Sequence, residues 1–215
     1  MTRNPTSNGL SGSQPSGEQR AAAAEKARTR REVRTRRLAL PAPAARASAR
    51  RAIHRLWSLP VLASARTVAI YLPIGGELDC MPLALEAWNR GRSVFLPVLR
   101  GTALRFAPFR PESELQPNHF GILEPVTPAR RLRTARQLDV IVAPLVAFDL
   151  QGHRLGMGGG YYDRTLAFRG GRADSRRPRF VALAFEMQKV SALPADAWDI
   201  GLDAVITETT TYRFA

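Results

Sequence analysis

The residues best suited to carry chemistry lie in one stretch, Phe148–Arg164, which reads FDLQGHRLGMGGGYYDR. Four glycines between Gly156 and Gly160 follow a predicted strand and precede a predicted helix. Glycines in that position let backbone N–H groups face a phosphate, and the start of the helix adds partial positive charge. Arg154 can donate a forked pair of hydrogen bonds to phosphate oxygens. The stretch therefore indicates a site for a phosphorylated ligand.

The glycine stretch differs from two widespread phosphate-binding loops. It contains no G-x-x-x-x-G-K-[ST] sequence, and no G-x-G-x-x-G sequence with an acid about 20 residues later. A glycine-rich turn without a ligand is therefore an open alternative from composition alone. The position favours a ligand, because open α/β sheets bind their ligands beyond the carboxyl ends of the strands.

Two acidic residues have the chemistry of metal ligands. Asp163 stands just after the glycine loop, and Asp199 stands between Trp198 and Ile200, ahead of the last predicted strand. Mg²⁺ prefers oxygen ligands, and proteins usually hold it with one or two carboxylates together with substrate phosphates. For Asp199, a partly buried capping carboxylate is the alternative that the residue types leave open.

Two further segments carry side chains that suit a ligand. Glu77 lies in IYLPIGGELD (70–79), where its carboxylate can accept hydrogen bonds from the amino or ring N–H groups of a heterocycle. Lys26 and Arg30 are four residues apart, so they share one face of a predicted helix and can clamp a phosphate chain. Each segment has an ordinary alternative, a surface acid in a turn and a solvent-facing helix.

The composition of the 215 residues excludes several classes of protein. Hydrophobic residues make up 45%, which is enough for a core, and no apolar run approaches the ~18 residues of a membrane-spanning helix. Cys80 is the only cysteine, which excludes a disulfide framework and a cysteine-based zinc site. No G-x-S-x-G sequence supports a hydrolase triad.

The net charge of +14 is concentrated at the start of the chain. Residues 1–60 hold 13 basic and 3 acidic residues, a net of +10, and residues 61–215 hold a net of +4. Such a segment suits a polyanion, either nucleic acid, acidic lipid or a phosphorylated small molecule, or it forms only a solvated helix. Because every basic residue except Lys26 and Lys189 is an arginine, we attribute part of the bias to overall composition.

The elements that must position these residues follow from periodicity and from helix and strand breakers. Residues 1–20, rich in Ser, Gly, Pro and Gln, predict a disordered tail, and residues 21–215 predict a single α/β domain. Apolar strands alternate with helices, which predicts a mainly parallel sheet with helices on both faces, preceded by a basic N-terminal helix. The predicted helices are 21–40, 44–59, 82–90 and 161–168; the predicted strands are 67–72, 93–98, 104–109 (at an edge, because of Pro108), 138–146, 180–185 and 204–207.

In combination, these segments resemble the 5-formyltetrahydrofolate cyclo-ligase (5,10-methenyltetrahydrofolate synthetase) family. The resemblance covers about residues 24–210 and rests on the basic helix, YLPIGGELD, FGILEP (120–125), LDVIVAPLVAFDLQGHRLGMGGGYYDR and VALAFEMQ. RLGMGGGYYD is highly specific, whereas the N-terminal match rests on spacing. The resemblance implies ATP- and Mg²⁺-dependent closure of 5-formyltetrahydrofolate to 5,10-methenyltetrahydrofolate, with release of ADP and phosphate.

The same resemblance assigns ligand contacts to individual residues. The implied catalytic residues are Lys26, Arg30 and Arg154, and the implied Mg²⁺ ligands are Asp163 and Asp199. The implied ATP contacts are Lys26, Arg30, Arg154, Leu155, Gly156, Met157, Gly158, Gly159, Gly160, Tyr161 and Tyr162. The implied folate contacts are Arg30, Leu72, Glu77, Met157, Gly158, Gly159, Gly160 and Tyr161. Some relatives carry Lys where Gly159 stands, so here a backbone N–H must replace an ammonium.

The resemblance further implies a monomeric cytoplasmic enzyme whose partners are the small molecules 5-formyltetrahydrofolate and ATP, with no nucleic acid and no membrane. Two alternatives from other classes stay open. One is a non-catalytic or sugar-phosphate-binding relative on a similar scaffold, since a fold does not dictate function. The other is a basic nucleic-acid-binding protein, which would bind with steep salt dependence and turn over no nucleotide. An arginine-rich start also fits an organelle transit peptide.

Overall fold

The computed structural model describes residues 16–170 and 177–214, which contain five α-helices, four short 3-10 helices and eleven strands. The helices are α1 Gly17–Leu38, α2 Ala42–Trp57, α3 Pro60–Ser64, α4 Met81–Asn89 and α5 Tyr161–Leu166. The strands are β1 Thr67–Ala69, β2 Ser93–Arg100, β3 Ala103–Phe109, β4 Leu115–Pro117, β5 Leu123–Pro125, β6 Val140–Ala143, β7 Ala147–Phe148, β8 Arg154–Leu155, β9 Arg179–Leu183, β10 Ala204–Ile206 and β11 Thr211–Arg213.

Seven of the strands form one sheet in the order β11-β10-β9-β6-β1-β2-β3. The strands β10, β9, β6, β1 and β2 run parallel to one another, and β3 and β11 join the two edges antiparallel. The predicted mainly parallel sheet is therefore confirmed, and β3, which contains Pro108, lies at an edge. The pairs β4–β5 and β7–β8 form two separate antiparallel ribbons.

Helices cover both faces of the sheet, as the alternating pattern predicted. On one face, α2, α3 and α4 pack against a set of aliphatic side chains that includes Val68, Val94 and Val142. On the other face, α5 and its aromatic neighbours pack against Ile141 and Phe180. All four residues of β6 are buried, because a central parallel strand has apolar neighbours above and below it.

The predicted strand 138–146 was too long, and the difference matters for the site. β6 ends at Ala143, because Pro144 has no N–H group to donate to a neighbouring strand. The chain continues into β7, which pairs with β8, so Arg154 and Leu155 are held on a strand rather than in a free loop. The prediction that 204–207 is the last strand was also wrong, since β11 follows it and pairs antiparallel with β10.

The helix α1 begins earlier than predicted. Ser16 and Gln19 form a capping box that satisfies backbone groups at the first turn, so residues 17–20, predicted as part of the tail, are helical. The rest of the predicted tail, residues 1–15, lies outside the described residues. Although α1 is 22 residues long, it is strongly charged, and no helix within the described ranges is long and apolar enough to cross a membrane.

Candidate active site

The glycine loop and the Glu77 turn both lie beyond the carboxyl ends of central strands. β6 leads through the β7–β8 ribbon into Gly156–Gly160, and β1 leads into the turn that carries Glu77. Tyr162, which follows the glycine loop, lies close enough to Glu77 to interact with it electrostatically. Burial raises the pKa of the Tyr162 phenol and the Glu77 carboxylate raises it further, against the opposing charge of Arg154. This edge is where open α/β sheets bind ligands.

A buried ion pair connects β8 to the first turn of α5. Arg154 Nη2 donates to Asp163 Oδ1 over 2.6 Å, and the two side chains are only 7% and 16% exposed. The guanidinium also lies over the rings of Tyr162 and Phe180. Its Nε is buried and has no hydrogen-bond partner among the described residues. An unpaired donor in a buried charged group is costly, and Arg92 and Arg169 also have buried nitrogens without partners in the described ranges.

Asp163 also connects α5 to the segment that carries Asp199. Its Oδ1 accepts a hydrogen bond from the backbone N–H of Ile200 at 3.1 Å. Asp199, one residue earlier, uses Oδ2 to accept from the N–H of Asp196 at 2.9 Å. The structure thus brings Asp163 and Asp199 into one neighbourhood. Within residues 16–170 and 177–214, no group of three or more His, Cys, Asp or Glu side chains could hold a metal ion by itself.

The helix α1 turns one stripe of side chains toward the rest of the protein. Lys26, Arg30, Val33 and Arg37 recur at spacings of three or four residues and are less exposed than most of the helix. Val33 is buried in a small apolar cluster with residues of the β7–β8 ribbon. This contact docks α1 beside the glycine loop and places Lys26 and Arg30 on the side of the helix that faces it.

Lys26 is held by two carboxylates from a segment far along the chain. Its Nζ lies 2.6 Å from Asp196 Oδ2 and 3.6 Å from Asp199 Oδ2. The lysine side chain is 16% exposed, whereas those of Asp196 and Asp199 are 39% and 27% exposed. An ammonium on a four-carbon side chain that shares two partly exposed carboxylates can exchange one of them for a phosphate oxygen.

Arg30 contacts the glycine loop directly. Its Nε donates to the carbonyl of Gly156 at 2.8 Å. A Cβ added at Gly158 would lie 3.6 Å from the guanidinium, and the φ of +103° at Gly158 is one that side-chain-bearing residues rarely adopt. Glycine is therefore favoured at this position by the backbone conformation, whereas the distance to Arg30 is an ordinary contact that would accommodate a Cβ.

The outer side of the loop is open to solvent, and Arg164, which is itself exposed, contacts the loop. Met157, Gly158 and Gly159 are exposed. Arg164 donates from Nη2 to the carbonyl of Gly159, and its guanidinium lies over the ring of Tyr161. The helix α5 that follows has only six residues, so its terminus contributes less positive charge than the sequence predicted. The charged donors near the loop are therefore arginine side chains.

The Glu77 carboxylate lies in a tight turn that requires glycine. Gly75 and Gly76 have φ values of +54° and +76°, in the left-handed region. Glu77 Oε2 accepts a hydrogen bond from the N–H of Ile74 at 3.1 Å, which orients the carboxylate. Burial raises the pKa of Glu77, whereas this hydrogen bond and the charges of two arginines on α1 lower it. The group is half-buried and suited to accept N–H donors from a ligand.

Leu72 lies beside the Glu77 turn, and Tyr161 follows the glycine loop. Tyr161 contacts an aromatic side chain from a distant segment, Phe120. Leu72 is half-buried against the core next to the Glu77 turn. Tyr161 meets Phe120 edge to face, with 6.1 Å between the ring centroids. Phe120 is 57% exposed between β4 and β5, so the tip of that ribbon borders the glycine loop.

Three side chains near the site were missed by the reasoning from sequence: Arg37, Asp196 and Phe120. Arg37 is 3% exposed and lies under the Glu77 turn. A signal for Arg37 existed, because it stands seven residues after Arg30 and so falls on the same side of the helix. The contacts of Asp196 and Phe120 depend on packing between distant segments, for which the sequence contains no local pattern.

The chain is similar to proteins of known name over most of its length. The model of the 5-formyltetrahydrofolate cyclo-ligase family matches residues 22–208. The 5-formyltetrahydrofolate cyclo-ligase of Escherichia coli K12 is 40% identical over 185 residues, which are 85% of this chain and 100% of that protein. The NMR structure of Aquifex aeolicus 5,10-methenyltetrahydrofolate synthetase has a TM-score of 0.74 and 35% identity, covering 87% of this chain and 92% of that one. A Mycoplasma pneumoniae 5,10-methenyltetrahydrofolate synthetase shares the fold, with a TM-score of 0.66 and 24% identity over 86% of this chain and 99% of that one.

Proposed function

The chain belongs to the 5-formyltetrahydrofolate cyclo-ligase family, and we propose that it closes 5-formyltetrahydrofolate to 5,10-methenyltetrahydrofolate with ATP and Mg²⁺, releasing ADP and phosphate. The observation that carries the proposal is the buried Arg154–Asp163 pair. It is located between the glycine loop and the Asp199 segment, where it connects β8 to the first turn of α5. A guanidinium placed in this way suits the charge that develops on a transferring phosphoryl group.

The chemistry explains why phosphate donors matter more here than a strong base. The formyl oxygen is a poor leaving group. Transfer of the γ-phosphoryl group of ATP to that oxygen lets N10 attack the formyl carbon, after which the C–O bond breaks, phosphate departs and N10 gives up its proton. The protein has to neutralise charge on the phosphoryl oxygens and hold the two substrates in line.

Three cations are our candidates to bind the phosphates. Arg154 is the first residue of β8, Arg30 lies against the carbonyl of Gly156, and Lys26 is held at the Asp196–Asp199 segment. We propose that all three contact ATP, together with Leu155–Tyr162, and that Lys26 exchanges a carboxylate for a phosphate oxygen when ATP binds. Arg30, which borders the loop, contacts both ATP and folate in this scheme.

The residues present fit a magnesium ion that is shared with the nucleotide. Both hydrogen bonds described for Asp163 end on Oδ1, so Oδ2 can face a metal, and Asp199 lies in the next segment. Two carboxylates are too few to hold Mg²⁺ alone, but proteins commonly bind it with one or two carboxylates and substrate phosphates. When bound, the ion would neutralise charge on the phosphate chain.

The folate is proposed to lie between the Glu77 turn and the outer side of the glycine loop. Glu77 accepts hydrogen bonds from the amino and ring N–H groups of the pterin, and Leu72 supplies an apolar wall. Met157–Tyr161 form the opposite wall, where Met157 is 49% exposed and free to contact a ligand. That the protein acts as a monomer in the cytoplasm stays a prediction.

An absorbance assay for 5,10-methenyltetrahydrofolate tests the proposal. We expect product from 5-formyltetrahydrofolate only when ATP and Mg²⁺ are both present, with ADP formed in equal amount. Arg36→Ala, which removes an exposed arginine of the same helix, is the matched control and is expected to keep the wild-type rate. Product without ATP, or none in the complete mixture, contradicts the proposal.

A further inference from the structure

Arg37 is a buried cation that the proposed reaction does not use. It is 3% exposed on the inner stripe of α1, and no ion pair to it is present within the described ranges. Its guanidinium instead donates to two backbone carbonyls. Nε and Nη2 reach the carbonyl of Gly75 at 3.2 and 2.8 Å, and Nη1 reaches the carbonyl of Leu145 at 3.3 Å. Burying a guanidinium costs free energy of desolvation, and these hydrogen bonds to the two carbonyls offset that cost.

The two carbonyls belong to the segments that follow β1 and β6. Gly75 is in the left-handed turn that carries Glu77, and this turn rests on the end of α1, since a Cβ added at Gly76 would lie 3.3 Å from Leu38. Leu145 also accepts a hydrogen bond from Gln188, which follows β9. Arg37 thus ties the Glu77 turn to the carboxyl edge of the central strands.

We propose that Arg37 is a positioning residue for the folate site, which holds the Gly75–Glu77 turn in place and sets a buried positive charge beside the turn that carries Glu77. The inference rests on the proposed function, because it assigns Glu77 to the pterin. Arg37 does not contact the ligand in this scheme. It acts through the carbonyl of Gly75 and through its charge.

The charges around Glu77 favour Arg37 for this role. The groups that interact with Glu77 are Arg34 and Arg37 from α1, Tyr71 and Cys80 from the segments around the turn, and Tyr162 from α5. Burial raises the pKa of Tyr71, Cys80 and Tyr162, so all three are neutral at physiological pH. Burial also raises the pKa of Glu77, whereas the two arginines lower it. Arg34 is exposed and screened by solvent, which leaves Arg37 as the buried cation.

The test is the binding of 5-formyltetrahydrofolate, without ATP, measured by calorimetry between about pH 5 and pH 8.5. If the inference holds, protonation of Glu77 weakens wild-type binding at the acid end, and Arg37→Gln moves the midpoint of that loss upward by about one pH unit. Arg37→Lys keeps the charge but loses the two-carbonyl contact, so we expect its midpoint to stay near that of the wild type while affinity falls several-fold at every pH. Arg36→Gln, which changes an exposed arginine of the same helix, is the control. Glu77→Gln should abolish the loss of affinity at low pH.

The proposed effect of the Arg37 charge on Glu77 is wrong if Arg37→Gln leaves the midpoint of the pH-dependent loss of affinity unchanged. It is also wrong if Glu77→Gln still loses affinity at low pH. Full affinity in Arg37→Lys overturns the positioning part, and this conservative variant serves if Arg37→Gln does not fold. If the wild type does not bind 5-formyltetrahydrofolate at all, the proposed function fails. In that event, ¹³C NMR titration of the Glu77 carboxyl in the ligand-free wild type and Arg37→Gln still decides whether Arg37 controls its charge.

Discussion

Two groups of charged side chains lie at the carboxyl edge of the sheet, and they use their hydrogen-bonding capacity differently. The first group surrounds Glu186, just beyond β9, and its carboxylate is saturated by protein donors: Tyr212 at 2.5 Å, Thr207 at 2.7 Å, and Lys189 and Thr209 at 2.8 Å. The second group contains Arg154, Asp163 and Lys26. There, Arg154 has a buried donor without a partner in the described ranges, and Lys26 shares partly exposed carboxylates.

The difference separates a cluster that is saturated within the fold from the cluster to which we assign the proposed ligands. A charged group whose lone pairs are all used by neighbours stabilises the fold and has nothing left for a ligand. A charged group that stays partly unsatisfied carries a desolvation cost, which a bound anion or cation can remove. Charge alone does not distinguish the two clusters, since both combine carboxylates with cations.

The largest effect is expected from Asp163→Asn. The substitution removes a carboxylate proposed as a metal ligand but keeps an oxygen that can accept from Arg154, so the fold should survive. Turnover should fall by about 10²-fold or more, as expected when a group that offsets developing charge is lost. The assay for 5,10-methenyltetrahydrofolate measures it, with thermal unfolding as the check on folding. Near-normal turnover would show that Asp163 is not a ligand.

The next effect concerns the two cations of α1. Lys26→Ala should weaken ATP binding by about 1.5–3 kcal/mol, the range for a charge-assisted contact, with a smaller effect on folate. Arg30→Ala should weaken both ligands, because Arg30 lies against the glycine loop. Arg36→Ala is the exposed control and should change neither. Calorimetric titration with each ligand measures the differences. If all three variants lose the same ligand affinity, and moderate salt abolishes the loss, the helix contributes only a diffuse positive field.

A smaller effect, on stability alone, is expected from Glu186→Gln in the saturated cluster. Glutamine is similar in shape but can no longer accept all four hydrogen bonds with a charged group, so the free energy of unfolding should fall by about 1–3 kcal/mol. Urea denaturation measures this loss. KM and kcat should stay near wild type, because this cluster has no capacity left for a ligand. A large change in kcat would break the distinction between the clusters.

The pH dependence of stability should come partly from the same residue. Burial alone raises the pKa of Glu186, but hydrogen bonds from Lys189, Tyr212, Thr207 and Thr209 outweigh it and lower the pKa from 4.5 to about 2. A lowered pKa stabilises the folded state above the unfolded value, so this contribution is complete above about pH 5 and disappears as the pH falls toward 2. Unfolding free energies across that window should be flatter in Glu186→Gln than in the wild type.

The smallest effect is expected from a deletion that touches neither cluster. Residues 1–15 precede the Ser16 cap, and their composition offers little that could join a core. A chain that starts at Ser16 should keep the melting temperature and the turnover of the full chain. A second deletion, of residues 1–20, also removes the capping box and the first turn of α1. It should lower the melting temperature slightly. A marked loss of activity in the shorter deletion would show that residues 1–15 contribute to the site.

Much of the fold could be predicted from the sequence because its signals are local. The run VIVA in β6 and the apolar residues of β1 and β9 each report a buried strand without reference to any other segment. Their alternation with helices then indicates a parallel sheet. The errors occurred where a local signal was misleading or absent. Pro144 divided one apolar run into two strands, and the capping box of Ser16 extended α1 into a segment of helix-poor composition.

The chemical types of the site residues were determined by the sequence alone. The glycine block, Arg154, Asp163 and the Lys26–Arg30 spacing lie within short stretches whose meaning depends on neighbours a few residues away. Which groups pair was decided only by the tertiary structure. Lys26 meets Asp196 across 170 residues, and Arg37 reaches the carbonyl of Leu145 across 108. Such contacts depend on how helices and strands pack at one edge of the sheet, and packing is set by the combined shape of the whole core rather than by any local pattern.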